Sequence, residues 1–308
     1  SRVEADGFFR DRNDRSGFST YNEKKVRHRL YVCTSCGCAC LGDGRKRDTG
    51  SEDPTRNRFG NKKEIGMEQK RNKAEIDRIV ANANTIWGIE RMAPLSERED
   101  AIARKFLAGE LSADAFGPAL IAASDRTMRR KSEAQCARDV QSLELYKRID
   151  PETYFHGLQL MNRIDGADTY AKVQAADRIL SYKSYFEMAR NPSQGKFDRA
   201  HMLAIHERMF RDLYYFAGQL RDMPMQIDSV TRFVAPHRIP SALDAFFEKL
   251  HAIDCRKRLE KEQFIAHAAQ RLTDINIIHP FREGNGRSKR VFFTAWAEHA
   301  GFAFDWAK

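Results

Sequence analysis

Between His279 and Arg290 the chain reads HPFREGNGRSKR, which places one imidazole, one carboxylate, two glycines around an asparagine and four cationic side chains within twelve residues. Pro280 cannot extend a helix, so the helical pattern that runs to Ile278 must stop there. The next helical pattern opens near Asn285–Arg287, which makes Gly284-Asn285-Gly286 a turn into a helix N-terminus. Such a turn aims several main-chain N–H groups at one point and adds the positive end of the helix dipole. Glycines allow both the turn and the close approach of phosphate oxygens. Arg287 and Arg290, three residues apart, project from one face of the first turns. The result is an anion cradle sized for more than one phosphate. Phosphates of that kind travel with Mg²⁺, and Glu283 stands where a hard carboxylate ligand is wanted. His279 just upstream can take a proton from an incoming hydroxyl. A base, a metal carboxylate, a phosphate cradle and two guanidinium groups make up a kit for phosphoryl or nucleotidyl transfer.

The elements that must position this kit are nearly all helical. Patterns with apolar residues at helical spacing cover GADTYAKVQAADRILSYKSYFEMA, KFDRAHMLAIHERMFRDLYYFAG, SALDAFFEKLHAI, KEQFIAHAAQRLTDINII and SKRVFFTAWAEHAG. One segment, Asp222–Pro236 (DMPMQIDSVTRFVAP), breaks the run with β-branched residues, rough alternation and a turn signal at Asp228-Ser229. It reads as a short β-hairpin on a helical body. Upstream, the segment around Ile76, Ile79, Val80, Ala83, Ile86 and Trp87 has helical spacing, and Ser96 and Ser112 are candidate N-caps for two further helices, the first closed by Gly109. A third pattern, RRKSEAQCARDVQSLELYKRI, follows them.

Residues 1–66 carry neither sustained period and are rich in charge and chain breakers, so they cannot bury enough apolar surface to offset the entropy of ordering. They are expected to be disordered, and the change of texture at Met67 suggests an upstream extension. Net charge is +10, and residues 1–66 hold 15 Lys and Arg against 10 Asp and Glu, about half the excess. The remainder is ordinary for a solvated surface, so nucleic-acid binding is not expected. Cys33, Cys36, Cys38 and Cys40 cluster without the distant second ligand pair of a zinc site. Cys136 and Cys255 fall in helical patterns and are expected as buried thiols. No apolar run is long enough to span a membrane and no signal peptide opens the chain, so a cytoplasmic place is expected, or export by another route.

The stretch at His279 matches HPFx(D/E)GNGRxxR, the signature of the Fic family, at every defined position, and the chain resembles that family over much of its second half. IDPETYFHGLQLMNRIDGADTYAKVQAADRIL resembles its N-terminal part, KFDRAHMLAIHERMFRDLYYFAGQLRDM the helix leading to its flap, and RFVAPHRI the flap's return. The resemblance implies an all-α helical bundle with a small β-hairpin flap, and transfer of AMP from ATP to a Tyr, Ser or Thr hydroxyl of a target protein. It implies His279 as general base and Glu283 as ligand of Mg²⁺. Gly284, Asn285 (backbone and side chain) and Gly286 would cradle phosphates, Arg287 and Arg290 would hold the β- and γ-phosphates, and Phe281 would anchor the loop. Asp222, Met225, Ile227, Arg232 and Phe233 would form the flap that docks an extended target segment by strand addition. The related Doc-type kinases carry Lys in the stretch around position 286 and bind nucleotide reversed, so Gly286 favours AMP transfer.

Many Fic proteins are held off by a helix with the motif (S/T)xxxE(G/N), whose Glu pairs with the second signature Arg, here Arg290. Residues 75–123 resemble a VbhA-type antitoxin that carries this helix. In the expected register Ala83 stands for Ser/Thr and Trp87 for Glu, a degenerate switch, with Glu90 one turn further on. The resulting domain reading is an extension over 1–66, an antitoxin-like module over 67–125 and a Fic domain over 130–308, with the family's last helices missing. Fic modules of this kind occur as bacterial toxins and as translocated effectors, so the target could be a type II topoisomerase or a small GTPase. The alternative is a non-catalytic nucleotide-binding or interaction module left from a toxin–antitoxin fusion.

Overall fold

The structure is a computed structural model that describes residues 30–32, 71–124, 126, 128–150, 157, 161–226, 232–252 and 260–307. Among these, nine α-helices follow one another: α1 (Lys73–Ile89), α2 (Glu97–Leu107), α3 (Ala113–Ala123), α4 (Glu133–Ile149), α5 (Tyr170–Arg190), α6 (Arg199–Phe210), α7 (Ile239–His251), α8 (Lys261–Ile278) and α9 (Asn285–His299).

The expected helix starts are real caps. The Ser96 hydroxyl accepts from the Glu99 N–H while Glu99 reaches back to the Ser96 N–H, a complete capping box, and Ser112 accepts from the Ala115 N–H. Gly109, at φ 78°, takes the left-handed turn after α2. In α1 all six of the apolar residues picked out by spacing are buried, with Ala83 and Trp87 wholly so.

α5 is the spine of the molecule, and α1, α2, α3 and α6 all pack on it. Trp87 of α1 stacks on Tyr182 of α5 with ring centroids 4.3 Å apart, and Phe106 of α2 stacks on Phe116 of α3 at 4.0 Å. Between α2 and α5, Arg178 makes a bidentate pair with Glu99, whose carboxyl is held below its usual range although burial opposes this. The α8–loop–α9 hairpin packs across the other side, where Phe264 stacks on Trp296. α4 lies outside this core. It buries only Leu143, in a satellite cluster with Met161 and Met223.

Strand β1 (Leu30–Val32) pairs antiparallel with β2 (Phe302–Phe304), with Tyr31 opposite Ala303. These three are the residues of 1–66 that the structure describes. The Leu-Tyr-Val run has a partner 270 residues away whose ladder no local period could reveal. The other N-terminal features, including Cys33, Cys36, Cys38 and Cys40, lie outside the described residues, as does Cys255. Cys136 is half-buried rather than buried. Among the described residues no helix is long and apolar enough to cross a membrane.

Candidate active site

His279, the base expected from the sequence, sits at the end of α8. His279 is the C-cap of that helix and adopts φ 46°, ψ 64°, a left-handed conformation that costs a non-glycine residue about 1–2 kcal/mol. Three contacts hold it there. Its N–H donates to the Ile275 carbonyl at 3.0 Å, its own carbonyl accepts from Arg221 Nε at 2.7 Å, and its ring stacks on Phe233 with centroids 3.8 Å apart. Burial, with smaller contributions from Lys289 and Arg221, pushes the imidazole pKa down to about 3. The ring is therefore neutral at physiological pH, the form a proton acceptor requires.

The loop from Phe281 to Gly284 is tied down at both ends. Phe281 is buried against His206, ring centroids 3.8 Å apart. His206 is itself wholly buried, with its pKa lowered to about 3 by burial. The Gly218 N–H donates to its Nδ1 at 2.8 Å, so Nε2 carries the proton and donates to the Glu283 carbonyl at 3.0 Å. This histidine was not picked out in the sequence, because its partners are main-chain groups distant along the chain.

The Asn285 side chain departs from the expected role. Its Oδ1 accepts from the Phe281 N–H at 2.8 Å and its Nδ2 donates to the Phe281 carbonyl at 2.7 Å. The carboxamide staples the loop and does not face the cradle. Gly284, at φ 76°, has no room for a side chain, since a Cβ would lie 2.3 Å from the Phe210 ring. It is also the N-cap of α9 and supplies no side-chain cap, so the first-turn N–H groups keep their capacity for an anion.

Glu283 stands at this N-terminus with about a third of its side chain exposed. Among the described residues the hydrogen bonds it accepts all reach Oε1, from the Gly284 N–H at 2.8 Å and from Arg287 at 3.5 Å. Burial raises its pKa while Arg287 lowers it. Among the described residues no cluster of three or more His, Cys, Asp or Glu side chains forms a metal site. Mg²⁺ bound with a nucleotide needs only one or two carboxylates beside substrate phosphates and water. A single half-open carboxylate beside an anion cradle fits that pattern.

The two signature arginines are not equivalent. Arg287 is buried and makes a bidentate pair with Asp177 of α5, with Nη2 2.9 Å from Oδ2, and a further bond to Ser181 Oγ at 2.9 Å. Burial opposes its charge, yet Asp177 keeps its pKa above the ordinary value. Arg290 is also buried, and its Nη1 donates to Glu90 Oε1 at 2.9 Å.

Glu90 corrects the register expected for the N-terminal helix. Ala83 and Trp87 do not reach Arg290. Ala83 is core, and the Trp87 indole donates to Ser181 Oγ at 3.1 Å. The carboxylate on Arg290 belongs to Glu90, which follows α1 as its C-cap. Counted from Glu90, the first motif position is Ile86 and the last is Arg91, which takes φ 58° where the family has Gly or Asn. In this register a carboxylate, and neither Ala83 nor Trp87, meets Arg290.

The flap is described on both sides of its tip. Gln226 bridges Arg232 antiparallel, and the Phe233 N–H donates to the Met225 carbonyl at 3.2 Å. Phe233 covers His279, Met225 packs against the satellite cluster, and Asp222 pairs with Lys147 of α4. Arg232 is exposed. Ile227 and the Asp228-Ser229 turn lie outside the described residues.

Residues 196–297 match the family model described as Fic/DOC family, and this part of the chain is a Fic/DOC domain. The chain is 32% identical over 157 residues to protein adenylyltransferase VbhT of Bartonella schoenbuchensis, an alignment covering 51% of this chain and 32% of that protein. It is 40% identical over 115 residues to the probable protein adenylyltransferase y4lH of Sinorhizobium fredii, covering 37% and 59%. The chain thus spans 32% and 59% of the lengths of these two relatives. Among solved structures, it is similar to the N-terminal Fic domain of a Bartonella effector from Bartonella sp. AR 15-3, at 26% identity and TM-score 0.43, covering 46% of this chain and 68% of that one.

Proposed function

We propose that this chain is a protein adenylyltransferase that moves AMP from ATP to a Tyr, Ser or Thr hydroxyl of a target protein. The observation that carries the reading is the pairing of a half-buried, neutral His279 at the end of α8 with the uncapped N-terminus of α9 across one stapled loop. The hydroxyl oxygen attacks the α-phosphorus, the bond to the β-phosphate oxygen breaks, and pyrophosphate leaves. His279 takes the hydroxyl proton. Main-chain N–H groups at Asn285 and Gly286, with Arg290, receive the phosphates, and Arg287 fixes Glu283 and the first turn from beneath. Glu283 would hold Mg²⁺, which supplies charge neutralisation for the phosphates. The flap lays an extended target segment near His279. The names of the curated relatives support the same chemistry.

Glu90 holds this site in check. Its carboxylate occupies the guanidinium that a terminal phosphate would need, and a Cβ on Gly286 would lie 1.9 Å from it, so it fills the mouth of the cradle. The resemblance of residues 75–123 to an antitoxin fits a control element fused to its enzyme.

The test is incubation of the full chain with Mg²⁺ and ATP labelled at the α- or γ-phosphate, beside His279→Ala, in bacterial and eukaryotic lysates. Label from the α-position that His279→Ala abolishes supports the reading, and the labelled band's source separates a bacterial target from a host one. Label from the γ-position alone means a reversed nucleotide. Nucleotide binding without either label, in Glu90→Gly as in the full chain, means a non-catalytic module.

A further inference from the structure

Arg221, just before the flap, is buried, and burial lowers its pKa. Among the described residues every hydrogen bond of its guanidinium goes to a main-chain carbonyl. Nε donates to His279 at 2.7 Å and Nη1 to Met223 at 2.7 Å, while Nη2 donates to Val234 and, at 3.3 Å, to Ile278. Its own N–H donates to the Pro280 carbonyl at 2.9 Å. Burying a cation without a counter-charge is costly unless its donors are all matched. A planar fork of five N–H groups can match acceptors spread over several strands of chain, which an ammonium group cannot do.

The acceptors fall into two sets. Met223 and Val234 lie on the two arms of the flap, on either side of its tip, and Ile278 and His279 form the end of α8. One side chain therefore joins both arms of the flap to the residue whose left-handed turn aims the imidazole. The neighbouring contacts follow the same line. The Val234 N–H donates to the Ile277 carbonyl at 3.2 Å, and Phe233, between the two, lies 14° from parallel with the His279 ring.

We propose that Arg221 is a positioning residue that locks the flap and His279 into one rigid unit, so that a target segment laid on the flap arrives in register with the base. The reaction it serves rests on the adenylyltransferase reading, whereas the lock itself is read out without turnover.

The experiment uses Arg221→Lys and Arg221→Gln in the full chain. Phe233 stacked on His279 gives the imidazole protons an upfield ring-current shift by NMR, assigned by comparison with His279→Ala. In a folded Arg221→Lys protein this shift falls by more than half, while the Kd for Mg²⁺ with a non-hydrolysable ATP analogue stays within about twofold. Transfer of α-label then falls about tenfold or more in kcat, with KM for ATP within about twofold. An unchanged ring-current shift in a folded variant overturns the lock. A Glu90→Gly chain that transfers no label, while the ring shift of the full chain still responds to Arg221→Lys, overturns the transferase reading and leaves the lock standing. If both variants fail to fold, native-state hydrogen exchange of the wild-type chain decides. The amides of Phe233, Val234 and His279 are expected to open together, within about threefold in protection. Flap amides exchanging about a hundredfold faster than His279 overturn the lock.

Discussion

Glu90 and Arg290, 200 positions apart, form an ion pair at 2.9 Å that joins the end of α1 to the first turns of α9. The Arg290 side chain is almost wholly buried and the Glu90 side chain remains 29% exposed. Glu90→Gly is therefore expected to raise α-label transfer about tenfold or more. It leaves a buried guanidinium without its carboxylate, so the nucleotide-free protein loses about 1–3 kcal/mol. Mg²⁺ with a non-hydrolysable ATP analogue restores that loss, and the rise in Tm on adding it is larger for the variant than for wild type. Equal transfer rates and equal Tm shifts would remove the control role.

Asp177 holds Arg287 from beneath the site. Asp177→Asn keeps the shape but strips the counter-charge from a guanidinium that is 1% exposed. A loss of about 3–5 kcal/mol is expected by chemical denaturation. A variant as stable as wild type would mean that Arg287 finds another acceptor.

His206 makes the fold acid-sensitive. Its pKa is about 3 in the folded chain against 6.5 unfolded, so the unfolded state binds the extra proton between these values. Stability is fully present above pH 6.5 and falls as the pH drops towards 3, by about 1–2 kcal/mol from this residue at pH 5. His206→Phe keeps a ring against Phe281, removes this proton, and flattens the fall of denaturation midpoint between pH 7 and 5. It also frees the Glu283 carbonyl, so affinity for nucleotide drops. An unchanged pH slope would show that His206 protonates freely.

Gly284→Ala meets two obstacles, a φ of 76° and a Cβ 2.3 Å from the Phe210 ring. A loss of several kcal/mol and of measurable nucleotide binding is expected, read by calorimetry. Wild-type binding would mean that the loop has a second conformation.

Much of this was legible from local signals. The α8 pattern ends at Ile278 because Pro280 follows it, and the helix stops there. Ser96 and Ser112 cap their helices because each serine accepts an N–H bond three residues on, a purely local event. The register of the control helix was not legible. The usual marker for a left-handed helix end is Gly or Asn, and here Arg91 takes that conformation, which composition does not advertise. Gly88, which does look like a terminator, lies inside α1. The Asn285 amide, His206 and Arg221 share a different reason. Each is defined by bonds to main-chain atoms, and a carbonyl has no residue type for a pattern to detect.

The helix that carries Glu90 is also bound to the far end of the chain. Asn82 in the middle of α1 donates to the Phe304 carbonyl at 3.2 Å and accepts from the Trp306 N–H at 2.8 Å, and seven residues of α1 are buried. At about 1.5–3 kcal/mol for each large apolar side chain, peeling α1 away would dismantle much of the fold. α1 and the site thus share one core. On the control role proposed for Glu90, relief is a local swing of the Glu90–Arg91 turn with α1 left in place. Activity would then track the concentration of whatever draws Glu90 aside, as a reversible setting and not a one-time discharge.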